Sequence, residues 1–223
     1  YEIQLEAASQ ILNDIQRVMG RNYGKAVDAA ALNGDGSASF NSMTGILNRG
    51  SVSEYTINGG SNDGTEFDHI TPDDLKRAAA GVPPSLRSGA TFVFHPDFRD
   101  IVFELFKDDN GAYIFDYNSR EGAADQVGGY DVVYTEELPT FQDTTAANQT
   151  DTVFGVVGNW DYLKIALGEG ITTERATQGV VKDADDGSNI NLFTQDLRAL
   201  KYRAFFDLDL NFADAFNKIS TAA

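Results

Sequence analysis

The residue types that carry most enzymatic chemistry are sparse in this chain of 223 residues. There are two histidines and no cysteine, which excludes disulfides, thiolate metal sites and cysteine nucleophiles. His69 lies in an acidic stretch, His95 precedes a proline, and no histidine has a second one at the spacing of a zinc pair. Such isolated positions are typical of hydrogen-bonded or solvated side chains. We therefore predict no catalytic residue, no cofactor and no enzymatic activity.

Glycine-rich motifs for phosphate binding or for a nucleophilic serine are also missing from the sequence. The segment 20–25, Gly-Arg-Asn-Tyr-Gly-Lys, is one residue too short for a phosphate-binding loop and lies within a helical pattern. No Gly-x-Ser-x-Gly elbow occurs. Paired carboxylates such as those at 73–74 and 136–137 are expected by chance in so acidic a chain, so we assign no acid–base pair.

Calcium is the cation that the Asp, Asn and Gly clusters could bind. An EF-hand register that begins at Asn33 has Asp35 and Ser37 at the next two ligand positions. Its glycine position is occupied by Ala38 and its twelfth position by Thr44 instead of Glu. A register that begins at 183 fails in the same way. These segments are predicted to be turns, no metal ligand is assigned, and a looser cation site remains an alternative.

The chain is strongly acidic, with 34 acidic and 17 basic residues and a net charge of −17. Such a surface repels phosphate backbones, so we predict no specific nucleic-acid binding. Solubility, adaptation to high salt and the wall of a DNA container are three explanations that composition leaves open. No apolar run approaches the length of a membrane span, so no membrane partner is expected. The first four residues do not resemble a signal peptide, and without an initiator methionine we expect the chain to start inside a longer gene product.

The longest predicted element is an amphipathic helix at residues 1–32. Apolar residues recur there at helical spacing from Ile3 through Ile15 to Ala31, and charged residues fall largely off that stripe. Its length would be about 45 Å at 1.5 Å per residue. The following dipeptides readily adopt positive φ and are predicted to stop the helix in a structural turn, formed by Asn33, Gly34, Asp35 and Gly36. A long rod that ends in such a turn, with no chemistry nearby, indicates a building block.

The rest of the chain alternates short apolar runs with turn signals, which favours an α+β protein with mixed, mainly antiparallel sheets. The pattern from 191 to 206 is ambiguous: apolar residues from Leu192 to Ala204 fit a helical face, whereas Ala204–Leu210 alternates as a strand would. The remaining predicted elements are strands at 52–57, 91–94, 113–115, 132–134, 153–157, 162–167 and 171–176, helices at 72–80 and 98–106, and an acidic turn at 183–187.

Five motifs in this order resemble the major capsid protein of tailed double-stranded DNA viruses, the Hong Kong 97-type fold. They span nearly the whole chain: 32–37 (Leu-Asn-Gly-Asp-Gly-Ser) with 44–47; 92–96 (Phe-Val-Phe-His-Pro) with 107–115; 129–134 with 137–139; 154–155 and 160 with 170–175; and 197–203 (Leu-Arg-Ala-Leu-Lys-Tyr-Arg).

The resemblance implies a peripheral domain made of a spine helix at 1–32 and a C-terminal segment at 164–223, with an axial domain inserted at 33–163. It implies a structural protein of a tailed bacteriophage or archaeal virus that self-assembles into an icosahedral shell around packaged double-stranded DNA. The expected partners are copies of the chain in hexamers and pentamers, together with portal, scaffold and decoration proteins. The expected location is the virion capsid, after assembly in the host cytoplasm.

Two alternatives to a viral capsid remain at this point. An encapsulin-like compartment would use the same fold, although the motif at 33–36 and the following Thr-Gly-Ile-Leu favour the viral branch. A calcium-dependent adhesin or binding module is suggested by the acidity, the lack of cysteine and the Asp-Gly turns. That class would need strands throughout, and the predicted thirty-residue helix argues against it.

Overall fold

The computed structural model describes residues 2–58, 63–99, 125–141, 149–168, 172–176, 178–182, 187–195 and 199–223. Both α-helices lie within the first 81 residues, and the described residues from 91 onward form mainly strands; a short helical turn at 97–99 follows the second strand. In chain order the elements are α1 (Glu2–Asn33), β1 (Ser53–Thr56), α2 (Pro72–Gly81), β2 (Thr91–Phe94), β3 (Gln126–Val127), β4 (Tyr130–Tyr134), β5 (Val153–Gly158), β6 (Leu163–Leu167), β7 (Thr172–Ala176), β8 (Val180–Lys182), β9 (Asn189–Asn191), β10 (Ala199–Arg203), β11 (Phe206–Leu210) and β12 (Phe216–Ser220).

The predicted long helix is confirmed as α1, which has 32 residues and ends at Asn33, one residue beyond the predicted end. Its last turn is buried, since Ala30, Ala31 and Leu32 are each at most 7% exposed. The preceding segment 14–22 is exposed at every position, including its apolar ones. No helix of the described residues combines the length and the apolarity that a membrane span requires.

The largest sheet among the described residues is mixed and has six strands, β1 to β5 and β12. Its strand order is β1-β12-β5-β2-β4-β3. Two of the pairings are parallel, β1 with β12 and β2 with β4, and the other three are antiparallel. The predicted α+β class with mixed sheets is therefore confirmed.

Two apolar clusters cover this sheet. The larger one joins α2 to the sheet and is rich in phenylalanine, with Phe92, Phe94 and Phe154 at most 1% exposed. The smaller one brings Ile46 against β5 and β12. Val156 and Val157 of β5 belong to different clusters because successive strand residues point to opposite faces.

The helix α2 begins where the Thr-Pro-Asp-Asp signal predicts. Thr71 is its N-cap and Asp74 completes a capping box, while Pro72 occupies the first turn. Asp74 is only 2% exposed and also accepts hydrogen bonds from the Tyr55 hydroxyl (2.8 Å) and the Asn58 N–H (3.1 Å). This carboxylate therefore ties the start of α2 to β1.

Several predictions need correction or fall outside the described residues. The helical alternative for 191–206 is wrong at its end, because β10 pairs antiparallel with β7. Strands β5 and β6 are consecutive as predicted but do not pair with each other, since a 3-10 turn separates them and β6 pairs with β11. The predicted strand at 113–115, most of the helix at 98–106 and most of the turn at 183–187 lie outside the described residues.

The chain divides into two compact units. The first contains Tyr1–Gly24 and Ile165–Asp207, and the second contains Lys25–Lys164 and Leu208–Ala223. The sequence-based boundaries at 1–32, 33–163 and 164–223 differ from this division at residues 25–32, 164 and 208–223. The physical reason is that the last turn of α1 is buried in the second unit and that β12 pairs between β1 and β5.

Candidate functional site

The end of α1 and the segment that folds back on it form the candidate site, here called the helix junction (residues 30–36 and 43–49). A helix leaves its last four carbonyl groups without intrahelical partners. Here each of the last four carbonyls of α1 accepts a hydrogen bond. The donors, in order along α1 from residue 30, are the N–H groups of Gly34 (3.2 Å), Ile46 (2.9 Å) and Leu47 (3.1 Å), and the side-chain amide of Asn48 (2.9 Å).

Two glycines make this closure possible because the backbone segments approach too closely for a side chain. A Cβ at Gly34 would lie 2.6 Å from the carbonyl oxygen of Ala30 and 2.7 Å from that of Met43. A Cβ at Gly45 would lie 2.5 Å from the carbonyl oxygen of Leu32. Gly36 is a glycine for another reason, since its φ is +78°, in the region that favours residues without a Cβ.

The two polar residues of the predicted turn, Asn33 and Asp35, each form a hydrogen bond through the side chain. The Asn33 side-chain amide donates to the carbonyl oxygen of Glu137 at 2.7 Å. Asp35 forms an isolated antiparallel bridge with Thr44, and its carboxylate accepts the Ser37 N–H at 2.8 Å. The hydrogen bonds from Ser37 lower the pKa of Asp35. The turn is therefore held by its own side chains, and it contains no arrangement of nucleophile and base.

Arg49 is a residue of the junction that sequence reasoning missed. Its Nε donates to the carbonyl oxygen of Thr44 at 3.0 Å, and one terminal nitrogen lies 3.0 Å from Oδ1 of Asp209. The other terminal nitrogen donates to the carbonyl oxygen of Leu208 at 3.3 Å. The hydrogen bond from Arg49 lowers the pKa of Asp209. Arg49 thus joins the junction to β11, although nothing in the local sequence distinguishes it from a surface arginine.

Lys218 is the second missed residue, and it is the one charged group on the central strand β12. It is 8% exposed, its Nζ lies 3.2 Å from Oε2 of Glu54, and it donates to the carbonyl oxygen of Leu47 at 3.3 Å. Burial opposes the ionisation of Glu54, but hydrogen bonds from Ser220 and Lys218 prevail and lower its pKa. A signal for this residue exists in the sequence, because a lysine inside the apolar strand Phe-Asn-Lys-Ile-Ser needs a buried partner.

The two histidines lie beside acidic residues that are close to them in sequence. Nδ1 of His95 accepts the Asp97 N–H at 3.2 Å, at the start of the helical turn that follows β2. Nδ1 of His69 lies 3.0 Å from Oδ1 of Asp63, and its Nε2 lies 3.5 Å from Oδ1 of Asp68.

Within the described residues, one group of side chains is close enough to share a cation. It consists of Glu66, Asp68 and His69, whose ligand atoms all lie within 4.8 Å of one another. Asp68 is exposed, and exposed carboxylates in an acidic surface are hydrated without a metal. We assign no metal to this group.

The helix junction is a hydrogen-bonded closure at the end of α1, and comparison with known proteins gives the class of the protein. The chain belongs to the phage capsid family, whose profile matches residues 2–221. The resemblance noted in the sequence is therefore confirmed for the family. No curated protein matches the chain.

Solved structures agree with this assignment at the level of the fold. The capsid of an empty GTA particle matches with a TM-score of 0.65 and 17% identity over 96% of this chain and 67% of that chain. Structures from Gordonia phage Cozz (TM-score 0.62, 17% identity, 96% and 64%) and Mycobacterium phage Ogopogo (0.62, 16%, 95% and 68%) are also similar. The chain thus spans about two thirds of the length of these structures, and the Hong Kong 97-type fold is confirmed for the part that it covers.

Proposed function

We propose that this chain is a major capsid protein whose copies tile an icosahedral shell around packaged double-stranded DNA. The observation that carries the proposal is membership of the phage capsid family over residues 2–221, together with the fold shared with the capsid of the GTA particle. A non-enzymatic role agrees with that family. In this role the residues of the helix junction, Asn33, Gly34, Asp35 and Gly36 among them, are structural.

The helix junction supports a tile that must hold its shape. Because each of the last four carbonyls of α1 is bonded, the end of the helix cannot fray without breaking contacts to residues 34–48. A shell subunit touches several neighbours, and many modest contacts act together when the shell closes. A fixed junction keeps those contacts at constant positions within each tile.

The finer assignments follow from the family resemblance and belong to the same proposal. We assign the axial domain to 33–163 and the peripheral domain to the spine helix at 1–32 and the segment 164–223. The partners are copies of the chain in hexamers and pentamers, with portal, scaffold and decoration proteins, and without a specific nucleic-acid or membrane contact. The location is the virion, after assembly in the host cytoplasm.

The alternatives fare differently against the fold. The adhesin alternative required strands throughout, and the 32-residue α1 is incompatible with it. An encapsulin-like compartment would share the fold, but the family that matches the chain is the phage capsid family, which supports the viral shell.

Electron microscopy of purified protein in negative stain tests the proposal. We expect closed polyhedral particles, and amorphous or open assemblies under every condition would contradict the proposal. Because the net charge of −17 makes copies repel one another, the yield of particles should rise with salt or with divalent cations. A yield, measured by light scattering, that falls from low to high salt would contradict the electrostatic part of the argument.

A further inference from the structure

Exposed apolar side chains are concentrated in the first unit. Of the eleven large apolar side chains that are exposed among the described residues, nine lie in this unit. Among its described side chains, Leu192 is the only apolar one that is buried, whereas 29 apolar residues of the second unit are buried. The described part of the first unit therefore has little core of its own to offset the entropy of ordering its chain.

The clearest exposed surface is one face of α1. Ile15, Val18 and Met19 follow the i, i+3, i+4 spacing of a single helix face and are 38%, 55% and 36% exposed. A Cβ added to Gly20 or Gly24 of the same helix would meet no atom within 4 Å. Interior glycines weaken a helix, so this segment of α1 has low intrinsic stability. Among the described residues, Phe206 packs on Tyr23 near its end, but Ile15, Val18 and Met19 stay exposed.

Charge indicates which partner this face suits. The first unit has ten acidic and seven basic residues, a net charge of −3, whereas the second has 24 and ten, a net charge of −14. Two copies of the chain therefore repel each other least when the contact between them involves the first unit of at least one copy. Arg21, on the same segment of α1, is exposed and suits the acidic surface of another copy, whereas Arg17 is paired with Asp14 of its own helix.

We propose that a second copy of this chain covers the face of α1 formed by Ile15, Val18 and Met19, and that residues 14–24 of α1 reach their full stability only in this contact. The inference rests on the proposed function, since a shell is what brings the copies together. The stability of this segment of α1 is then coupled to association, whereas the buried core of the second unit is complete in the separate chain.

Hydrogen–deuterium exchange of the whole chain, below and above the concentration at which it associates, tests the coupling. Amides in residues 14–24 should be protected at least about tenfold more strongly after association, whereas amides of β5 and β12 should change less than about twofold. Equal protection of 14–24 in both states would overturn the inference, and so would a chain that stays monomeric at every concentration and salt. Oligomers of any shape that protect 14–24 support it, so its outcome is separate from whether closed particles form.

Two matched substitutions test the surface itself. Val18→Asp removes an apolar side chain that is 55% exposed in the first unit, and Val133→Asp removes one that is 52% exposed in the second. Neither change affects a buried core, so both variants should keep the wild-type circular dichroism spectrum of the second unit. Analytical ultracentrifugation should show self-association at least about tenfold weaker for Val18→Asp and nearly unchanged for Val133→Asp. Equal weakening of association by the two substitutions would overturn the proposal. Unchanged association of Val18→Asp would also overturn it, because the face would then not lie in the contact between copies.

Discussion

Replacing Gly45 with alanine should break the helix junction by a purely steric route. The backbone φ of Gly45 does not lie in the left-handed region, so alanine causes no conformational strain there. Its Cβ would nevertheless lie 2.5 Å from the carbonyl oxygen of Leu32 and 2.8 Å from that of Ala30, both backbone atoms. An ordinary contact begins at 3.4 Å, so the two segments must separate by about 0.9 Å.

The cost of that separation follows from the bonds that it stretches. The hydrogen bonds from Ile46 to Ala31 (2.9 Å) and from Leu47 to Leu32 (3.1 Å) flank Gly45 and would be weakened or lost. At about 1 kcal/mol each, they account for about 2 kcal/mol. Overpacking of a closely packed backbone adds at least about 1 kcal/mol. We therefore expect Gly45→Ala to lower the free energy of unfolding of the second unit by about 3 kcal/mol.

Urea unfolding followed by tryptophan fluorescence measures this loss directly. Trp160 is the only tryptophan of the chain; its ring packs against Phe216 at 5.4 Å in the cluster that contains Ile46. The matched control is Gly50→Ala, where an added Cβ would meet no atom within 4 Å, and it should leave the midpoint nearly unchanged. A loss below about 1 kcal/mol for Gly45→Ala, or an equal loss for the control, would refute the steric argument.

Three further changes test other parts of the fold. Lys218→Met should cost about 2 kcal/mol by removing the charged partner of Glu54 and leaving it only the hydrogen bond from Ser220. In a urea double-mutant cycle, the double change with Glu54→Gln should cost less than the sum of the single changes, and simple additivity would contradict the pairing. Burial opposes the ionisation of Asp74, but hydrogen bonds from Thr71, Asn58 and Tyr55 prevail and lower its pKa. The folded protein therefore binds fewer protons than the unfolded chain, and it loses stability as the pH falls below the ordinary pKa of 3.8. Asp74→Asn should make stability less dependent on pH in that window while lowering it by about 2 kcal/mol at pH 7; an acid limb as steep as that of the wild type would contradict this. Gly20→Ala should stabilise α1 by about 1 kcal/mol, seen as a higher helical signal on heating, and a loss of helicity would show a close intrachain contact at that position.

Local signals in the sequence were sufficient for the elements whose stability is local. Helical spacing and a glycine-rich turn located α1 within one residue at its end, and Thr71 with Pro72 located the start of α2. The strand at β2 was also found, because a short apolar run between turn signals has few other interpretations. The family resemblance then supplied the fold.

Long-range contacts explain what the sequence did not predict. Residues 199–203 form strand β10 and not a helix because they pair with β7, which lies more than twenty residues earlier in the chain. The close approach of Gly45 to the carbonyl oxygens of Leu32 and Ala30 has no local signal in the sequence, and Arg49 reaches β11 across 160 positions. Such roles depend on which backbone segments meet, and composition and periodicity contain no information about that.

The position of β12 constrains when the second unit can be completed during synthesis. This strand, residues 216–220, is hydrogen-bonded on one side to β1 and on the other to β5. A nascent chain still attached to the ribosome before these residues emerge has β1 without its neighbour and β5 with one open edge. Unpaired edges invite pairing with other chains, so the nascent protein is most prone to aggregation at these two edges until β12 is inserted.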